Sequence, residues 1–277
     1  MEKIKENAFV KKIGFNTLVL LCVMVVLYIL FAIATPLIKT NASFVSYSRI
    51  VSALNYAYFL GFLALGVTFV IATGGIDFSI GPVMFCSALI SGYLLTLKGV
   101  PLPVCLLVSI LVGTIFGIIN GFLVAYAGLP SFITSMASMM IAKGVGSVFT
   151  KTQSVSWPQE MQDGGWFRKI ISIDGIPVGL IIFLAVAVVC AILLNKTKLG
   201  RYILCLGSNK EAVRLSGVNV KKWEMSAYII CGILVGISAI FFTAAYTTVQ
   251  PGYGDQYNNE AIAGCVMGGT SMAGGLA

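Results

Sequence analysis

At 277 residues the chain is long enough for one large or two small soluble domains, but its composition excludes both. Hydrophobic residues make up 58% and charged residues only 10%, against roughly 45–50% and about 25% in soluble domains. The net charge of +8 comes from 18 Lys and Arg against 10 Asp and Glu, and the absence of histidine excludes His-based catalysis and His metal sites.

Uncharged runs occupy 13–38, 50–76, 78–97, 99–142, 175–195, 225–254 and 261–277. A helix crossing the roughly 30 Å hydrocarbon layer needs about 20 apolar residues. The run from Gly99 to Ala142 is long enough for two spans, divided at Gly128-Leu129-Pro130, because the residue before a proline is driven out of the helical region. The pattern predicts an all-α polytopic bundle with spans at about 13–36, 50–73, 80–97, 103–127, 130–150, 176–194 and 225–248 and an eighth starting near Ile262. The first run is too long for the apolar core of a cleaved leader, about 7–15 residues, so it is a retained span. The last apolar run ends at Gly274-Gly275-Leu276-Ala277 without a charged flank, which predicts further spans beyond it, about ten in the full protein. The whole chain, 1–277, reads as one transmembrane domain.

Lysine and arginine set the orientation. Residues 195–224 carry Lys196, Lys198, Arg201, Lys210, Arg214, Lys221 and Lys222, and residues 1–12 carry Lys3, Lys5, Lys11 and Lys12. Both segments are therefore expected in the cytoplasm, which requires an even number of spans between them; the pattern supplies six. The basic excess follows from this rule and from attraction to anionic lipid. No basic patch interleaved with aromatics supports nucleic-acid binding. The cysteines Cys22, Cys86, Cys105, Cys190, Cys205, Cys231 and Cys265 have no paired ligand spacing and read as packing residues.

Two stretches break the apolar pattern. In Ala72-Thr-Gly-Gly-Ile-Asp-Phe-Ser-Ile-Gly-Pro82, Asp77 is the only charge between Arg49 and Lys98. Gly74 and Gly75 fit a tight turn at the cytoplasmic end of the second span, Ser79 fits a cap on the third, and Asp77 is placed near the interface or beside water. It serves there either as an acceptor for free helix N–H groups or as part of an inner gate. Lys143 is read as snorkelling toward the outer interface. The second stretch, 207–217, reads as a short helix: Asn209 is an N-cap, Glu211 lies in the first turn and Gly217 fits a left-handed stop. Ala212 and Leu215 give it one small apolar face, suited either to a groove on a partner protein or to lipid headgroups.

Gly200-Arg-Tyr and Gly207-Ser-Asn-Lys-Glu-Ala-Val-Arg-Leu-Ser-Gly-Val218 resemble the cytoplasmic coupling segment of ribose/simple-sugar permease subunits of bacterial ABC importers, the inner-membrane components of binding-protein-dependent transport systems. Thr73-Gly-Gly-Ile-Asp-Phe-Ser79 is similar to that family's Gly-Gly-Ile-Asp-Leu-Ser signature, and Asn120-Gly121, Pro130-Ser-Phe-Ile-Thr134 and Ala261-Ile-Ala-Gly, Gly268-Gly-Thr-Ser271 and Gly274-Gly275 follow in the same order. Phe78 stands for the usual leucine, and Cys205 and Val213 for common alanines; Val213 would enlarge the coupling face.

The resemblance implies a type II ABC importer-like bundle in the bacterial cytoplasmic membrane, with its N-terminus inside. It implies a second permease subunit, two cytoplasmic ATPase subunits that bind the ATP and magnesium, and an extracytoplasmic sugar-binding protein. This chain has no phosphate-binding Gly-x-x-x-x-Gly-Lys-Ser/Thr loop, so no cofactor is expected on it. Coupling falls to Gly207, Asn209, Glu211, Ala212, Arg214, Leu215 and Gly217. Gate and pore candidates are Gly74, Gly75, Asp77, Ser79, Asn120, Thr134, Thr270 and Ser271. The neutral groups of Asn55, Tyr56, Tyr58, Thr68, Ser135 and Ser138 suit a polyhydroxylated solute, although small polar residues also serve helix packing. The expected cargo is a pentose, hexose or related small sugar. The alternatives are branched-chain amino acids or nucleosides carried by the same kind of permease, or an ion-coupled carrier, for which Asp77 and Lys143 are meagre.

Overall fold

The computed structural model describes residues 15–38, 46–160, 165–173 and 176–275. The basic N-terminal segment lies outside the described residues. The described chain is a helical bundle: α1 (Phe15–Ile38), α2 (Tyr47–Ala72), α3 (Ile80–Lys98), α4 (Leu102–Ala125), α5 (Ser131–Phe149), α6 (Val178–Lys196), α7 (Lys198–Ser208), α8 (Lys210–Leu215), α9 (Val220–Ala245) and α10 (Asp255–Met267). Among the described residues, α2 to α6 and α9 are long and apolar enough to cross a membrane, and α1 adds the shorter apolar stretch Leu21–Thr35. The protein is a polytopic helical membrane protein. The expected spans from residue 50 to 248 coincide with helices to within a few residues.

The run from Ile262 behaves differently. It is the second half of α10, whose 13 residues rise only about 20 Å at 1.5 Å per residue, short of the bilayer core. Gly254, at φ 119, turns the chain into this helix, and Gly269, at φ 109, ends it. The chain then folds back until the Gly275 N–H donates to the Ala72 carbonyl (3.1 Å).

The centre of the bundle is the crossing of α4 and α9. Gly113 and Gly117 on α4 meet Gly232 and Gly236 on α9, spaced four residues apart on both helices, so the backbones touch. A Cβ at Gly113 would lie 2.4 Å from the Gly232 carbonyl oxygen, and one at Gly117 2.4 Å from that of Tyr228. Beside this seam Phe59, Phe85, Phe242 and Tyr257 interlock: the Tyr257 ring is 5.2 Å from Phe59 and stacks on Phe85 at 5.8 Å. Phe59 is midway along α2, so this cluster lies about halfway across the membrane. At one end, the short strands Val155–Ser156 and Thr248–Val249 pair antiparallel. There the Trp157 indole N–H donates to the Ala88 carbonyl (3.3 Å). The opposite end carries α7, α8 and the basic residues between 196 and 222. Faces turned to lipid are apolar, as with exposed Leu111 and Ile115 on α4 and Leu184 and Val188 on α6.

Because the α4–α9 seam leaves no room for a side chain, Gly232→Leu must push the helices apart, whereas Gly144, where an added Cβ would meet nothing within 4 Å, tolerates the same change. Overpacking of this kind costs about 1–3 kcal/mol or more. Thermal unfolding in detergent should show a marked drop for Gly232→Leu and little change for Gly144→Leu.

Candidate functional site

The Thr73–Ser79 turn begins at the basic end and dives back into the bundle. Gly74 takes φ 84, and its N–H donates to the Ile71 carbonyl (2.8 Å). The left-handed position is thus Gly74. Gly75 is held small for another reason, since a Cβ there would lie 2.7 Å from the Tyr228 hydroxyl. Asp77, expected at the interface or beside water, is instead buried, with 3% of its surface exposed. Its Oδ1 accepts from the Ser79 N–H (2.8 Å) and the Ser79 hydroxyl (2.6 Å). The cap on α3 is therefore the Asp77 carboxylate rather than the Ser79 side chain, which makes no cap bond of its own. Asn120 Nδ2 donates to Ser79 Oγ (2.9 Å) and lies 3.5 Å from Asp77 Oδ2. Ser138 donates its hydroxyl proton to Asn120 Oδ1. One polar cluster thus joins the turn, α4 and α5. Three charge-assisted or neutral bonds and the positive end of α3 offset the roughly 2.5–3.5 kcal/mol cost of a charge at this depth.

The N-terminus of α3 meets that of α10. Asn258, one turn into α10, accepts the Gly81 N–H on Oδ1 (2.7 Å) and donates from Nδ2 to the Phe78 carbonyl (2.6 Å). A Cβ at Gly81 would lie 2.1 Å from the Gly254 carbonyl oxygen. Asp255, the first residue of α10, forms an ion pair with Lys143 of α5. Lys143 is therefore paired, where the sequence suggested simple snorkelling.

At the basic end three backbone segments touch. A Cβ at Gly207 of α7 would lie 2.0 Å from the Ala72 carbonyl oxygen and 2.4 Å from the Gly275 nitrogen, and one at Gly274 would lie 2.9 Å from Cα of both Gly74 and Gly207. From this junction α8 projects. Asn209 Oδ1 accepts the Ala212 N–H (2.9 Å) and Gly217 takes φ 81, the expected cap and stop. Lys210 reaches Glu224 at 2.7 Å. Arg214 pairs with Glu211, and this hydrogen bond holds the Glu211 carboxyl below its ordinary range. Ala212 and Leu215 are exposed, Leu215 by 75%. Val213 is buried against Leu206 and Val220, so it supports the helix from behind and adds nothing to the coupling face.

The sequence candidates thus fall into two groups. Gly74, Gly207 and Gly217 with α8 form the basic end, and Asp77, Ser79, Asn120 and Ser138 form the buried cluster. Thr134 is buried one turn before Ser138, and its hydroxyl has no hydrogen bond among the described residues. Thr270 is buried and Ser271 partly buried in the turn after α10, where Ser271 Oγ accepts the Ala273 N–H (3.2 Å). Thr68 bonds back to the Ala64 carbonyl (2.7 Å), a packing role. Sequence reading missed Asp255 and Asn258. The signal was available: Gly252-Tyr-Gly254-Asp255 repeats the arrangement of glycines before an acid seen at Gly74-Gly-Ile-Asp77.

Asp77→Asn keeps an oxygen acceptor for Ser79, whereas Asp77→Ala leaves the Ser79 N–H and the start of α3 uncapped. Loss of such a cap costs about 0.5–2 kcal/mol. Thermal unfolding in detergent should place Asp77→Asn near wild type and Asp77→Ala clearly below it.

Residues 49–277, which include the Thr73–Ser79 turn, α10 and α8, match the family described as branched-chain amino acid transport system / permease component. The ribose import permease protein RbsC of Escherichia coli (strain K12) is 32% identical over 257 residues, covering 91% of this chain and 78% of that protein. RbsC of Bacillus subtilis (strain 168) is 32% identical over 241 residues, covering 85% and 72%. The fructose import permease protein FruG of Bifidobacterium longum (strain NCC 2705) is 31% identical over 253 residues, covering 87% and 73%. No solved structure matches the chain. The glycine-linked turns and the capped short helix are thus features of a transport permease, and the chain belongs to the branched-chain amino acid transport system / permease component family.

Proposed function

We propose that the protein is the pore-forming permease subunit of an ATP-driven importer that carries a small neutral sugar, a pentose or hexose, across the bacterial cytoplasmic membrane. The observation that carries this reading is the similarity, over most of their length, to permeases named for ribose, xylose and fructose. Those names favour a sugar over the amino acids in the family's description. The N-terminus and α7–α8 face the cytoplasm. A second permease copy or relative completes the pore, two ATPase subunits bind and hydrolyse ATP, and an extracytoplasmic binding protein delivers the sugar.

The geometry of α8 supports the ATPase contact. Its exposed face is small and uncharged at Ala212 and Leu215, flanked by the Glu211–Arg214 pair, and it is joined to the bundle through the glycine junction. Proteoliposome uptake of ribose, xylose and fructose, with the cognate ATPase, binding protein and internal ATP, tests the reading. Import of a branched-chain amino acid and of none of these sugars would overturn it.

Orientation is checked by thiol labelling: Ser208→Cys should react with an impermeant reagent only when the cytoplasmic side is open. Docking is checked by Ala212→Arg. An unpaired charge buried at a protein interface is strongly unfavourable, whereas on anionic headgroups one added Arg helps by about 1 kcal/mol. Ala212→Arg should insert normally, lose the ATPase on co-purification and lose uptake. Full retention of the ATPase by this variant would return α8 to the lipid surface.

A further inference from the structure

The geometry points to a polyol-binding station on the transport path, built by Glu260, Asn259 and Gln256 of α10 with Tyr56 of α2; its sugar specificity rests on the function proposed above. The helix α10 starts at the depth of Phe59, halfway along α2, through the Tyr257 ring contacts. Its buried side carries Tyr257, Asn258, Ala261, Ile262 and Cys265. Gln256, Asn259, Glu260 and Ala263 are exposed, and their spacing puts them on one face. Three hydrogen-bonding side chains, one a carboxylate, therefore stand exposed at mid-membrane. The exposed faces of other helices in the bundle are apolar, with Met140 and Ile141 on α5 and Leu184 and Val188 on α6. Polar and charged groups at such depth face a bundle interior or a water-filled cavity, not lipid.

A second observation connects this face to one end of the bundle. On α2, Ser48 and Ser52 are exposed and Tyr56 is half-buried. Their spacing of four residues makes one hydroxyl-bearing row that ends at Glu260, to whose Oε2 the Tyr56 hydroxyl donates. Among the described residues no lysine or arginine pairs with Glu260, and Oε1 accepts no hydrogen bond. A carboxylate with a free oxygen accepts hydroxyl protons from a sugar, while the neighbouring amides of Asn259 and Gln256 supply both donors and acceptors. The same negative charge repels sugar acids and sugar phosphates. The ligand that fits is a neutral polyhydroxylated molecule.

The test combines transport with accessibility, in a transporter reconstituted with its ATPase and binding protein. Glu260→Ala should reduce uptake of the best neutral sugar at least tenfold with the ATPase still retained, and Glu260→Gln, which keeps one acceptor, should reduce it less. Separately, with exposed Cys22 and Cys205 replaced by serine, Asn259→Cys should react with an impermeant thiol reagent added outside, and saturating ribose should slow the reaction. Wild-type uptake by Glu260→Ala overturns the station. So does an unreactive Asn259→Cys in a transporter that imports sugar, which would set this face against a second copy or lipid. Fast labelling in a protein that imports no neutral sugar leaves the water-lined face standing and overturns the sugar reading on which the station's specificity rests.

Discussion

Two helix N-termini, those of α3 and α10, meet end to end halfway across the bundle, and the architecture depends on making that meeting tolerable. Each carries about half a positive charge and free N–H groups, in a place with little water to screen them. The chain answers with an aspartate at each end: Asp77 binds Ser79 at the start of α3, and Asp255 opens α10 and is itself held by Lys143. Asn258 of α10 ties the two ends together by accepting the Gly81 N–H and donating to the Phe78 carbonyl, both at the start of α3. Remove the carboxylates and like partial charges face each other in a medium of low dielectric constant. With them, the short helix α10 sits inside the bundle against the full-length α3, and the irregular backbone before each helix is tolerated at that depth because protein surrounds it.

That arrangement needs a rigid frame, and the α4–α9 seam provides it. Glycines spaced four apart on both helices let the main chains approach until Cβ atoms would collide. Lipid gives no hydrophobic reward for helix association, so close van der Waals contact carries the energy. The interlocked rings of Phe59, Phe85, Phe242 and Tyr257 then fix α2, α3, α9 and α10 at one level. The polar cluster around Asp77 is wedged beside this frame, and Ser79, Asn120 and Ser138 hold one another's geometry.

Hydropathy and charge made most of this legible. The spans from residue 50 to 248 emerge from run lengths alone, because a bilayer of fixed thickness demands them. The α8 helix is equally plain, since Asn209 and Gly217 mark its ends by local chemistry. Three things were not legible. The depth of Asp77 is set by Asn120 and Ser138, which are distant in sequence, so a lone acid near glycines looked like an interfacial turn. That Gly75 is required for want of room, while Gly74 is required for its positive φ, turned on the position of Tyr228, far along the chain. The shortness of α10 was hidden because its apolar second half merges in composition with the glycine-rich turn after it. In the first two cases a partner from another helix decides, and periodicity carries no word of partners.

At the basic end, the contact of Ala72, Gly207 and Gly275 is main chain against main chain. A side-chain contact dissipates a small displacement by changing rotamer; a backbone contact has no such slack. Gly74 lies three residues before Asp77, and the 268–275 turn leads straight back into α10. Any force that shifts α7 therefore reaches the starts of α3 and α10 at once, through a stiff linkage with a common fulcrum. The two mid-membrane helix ends are in this sense a single mechanical load, geared to one point on the basic loop.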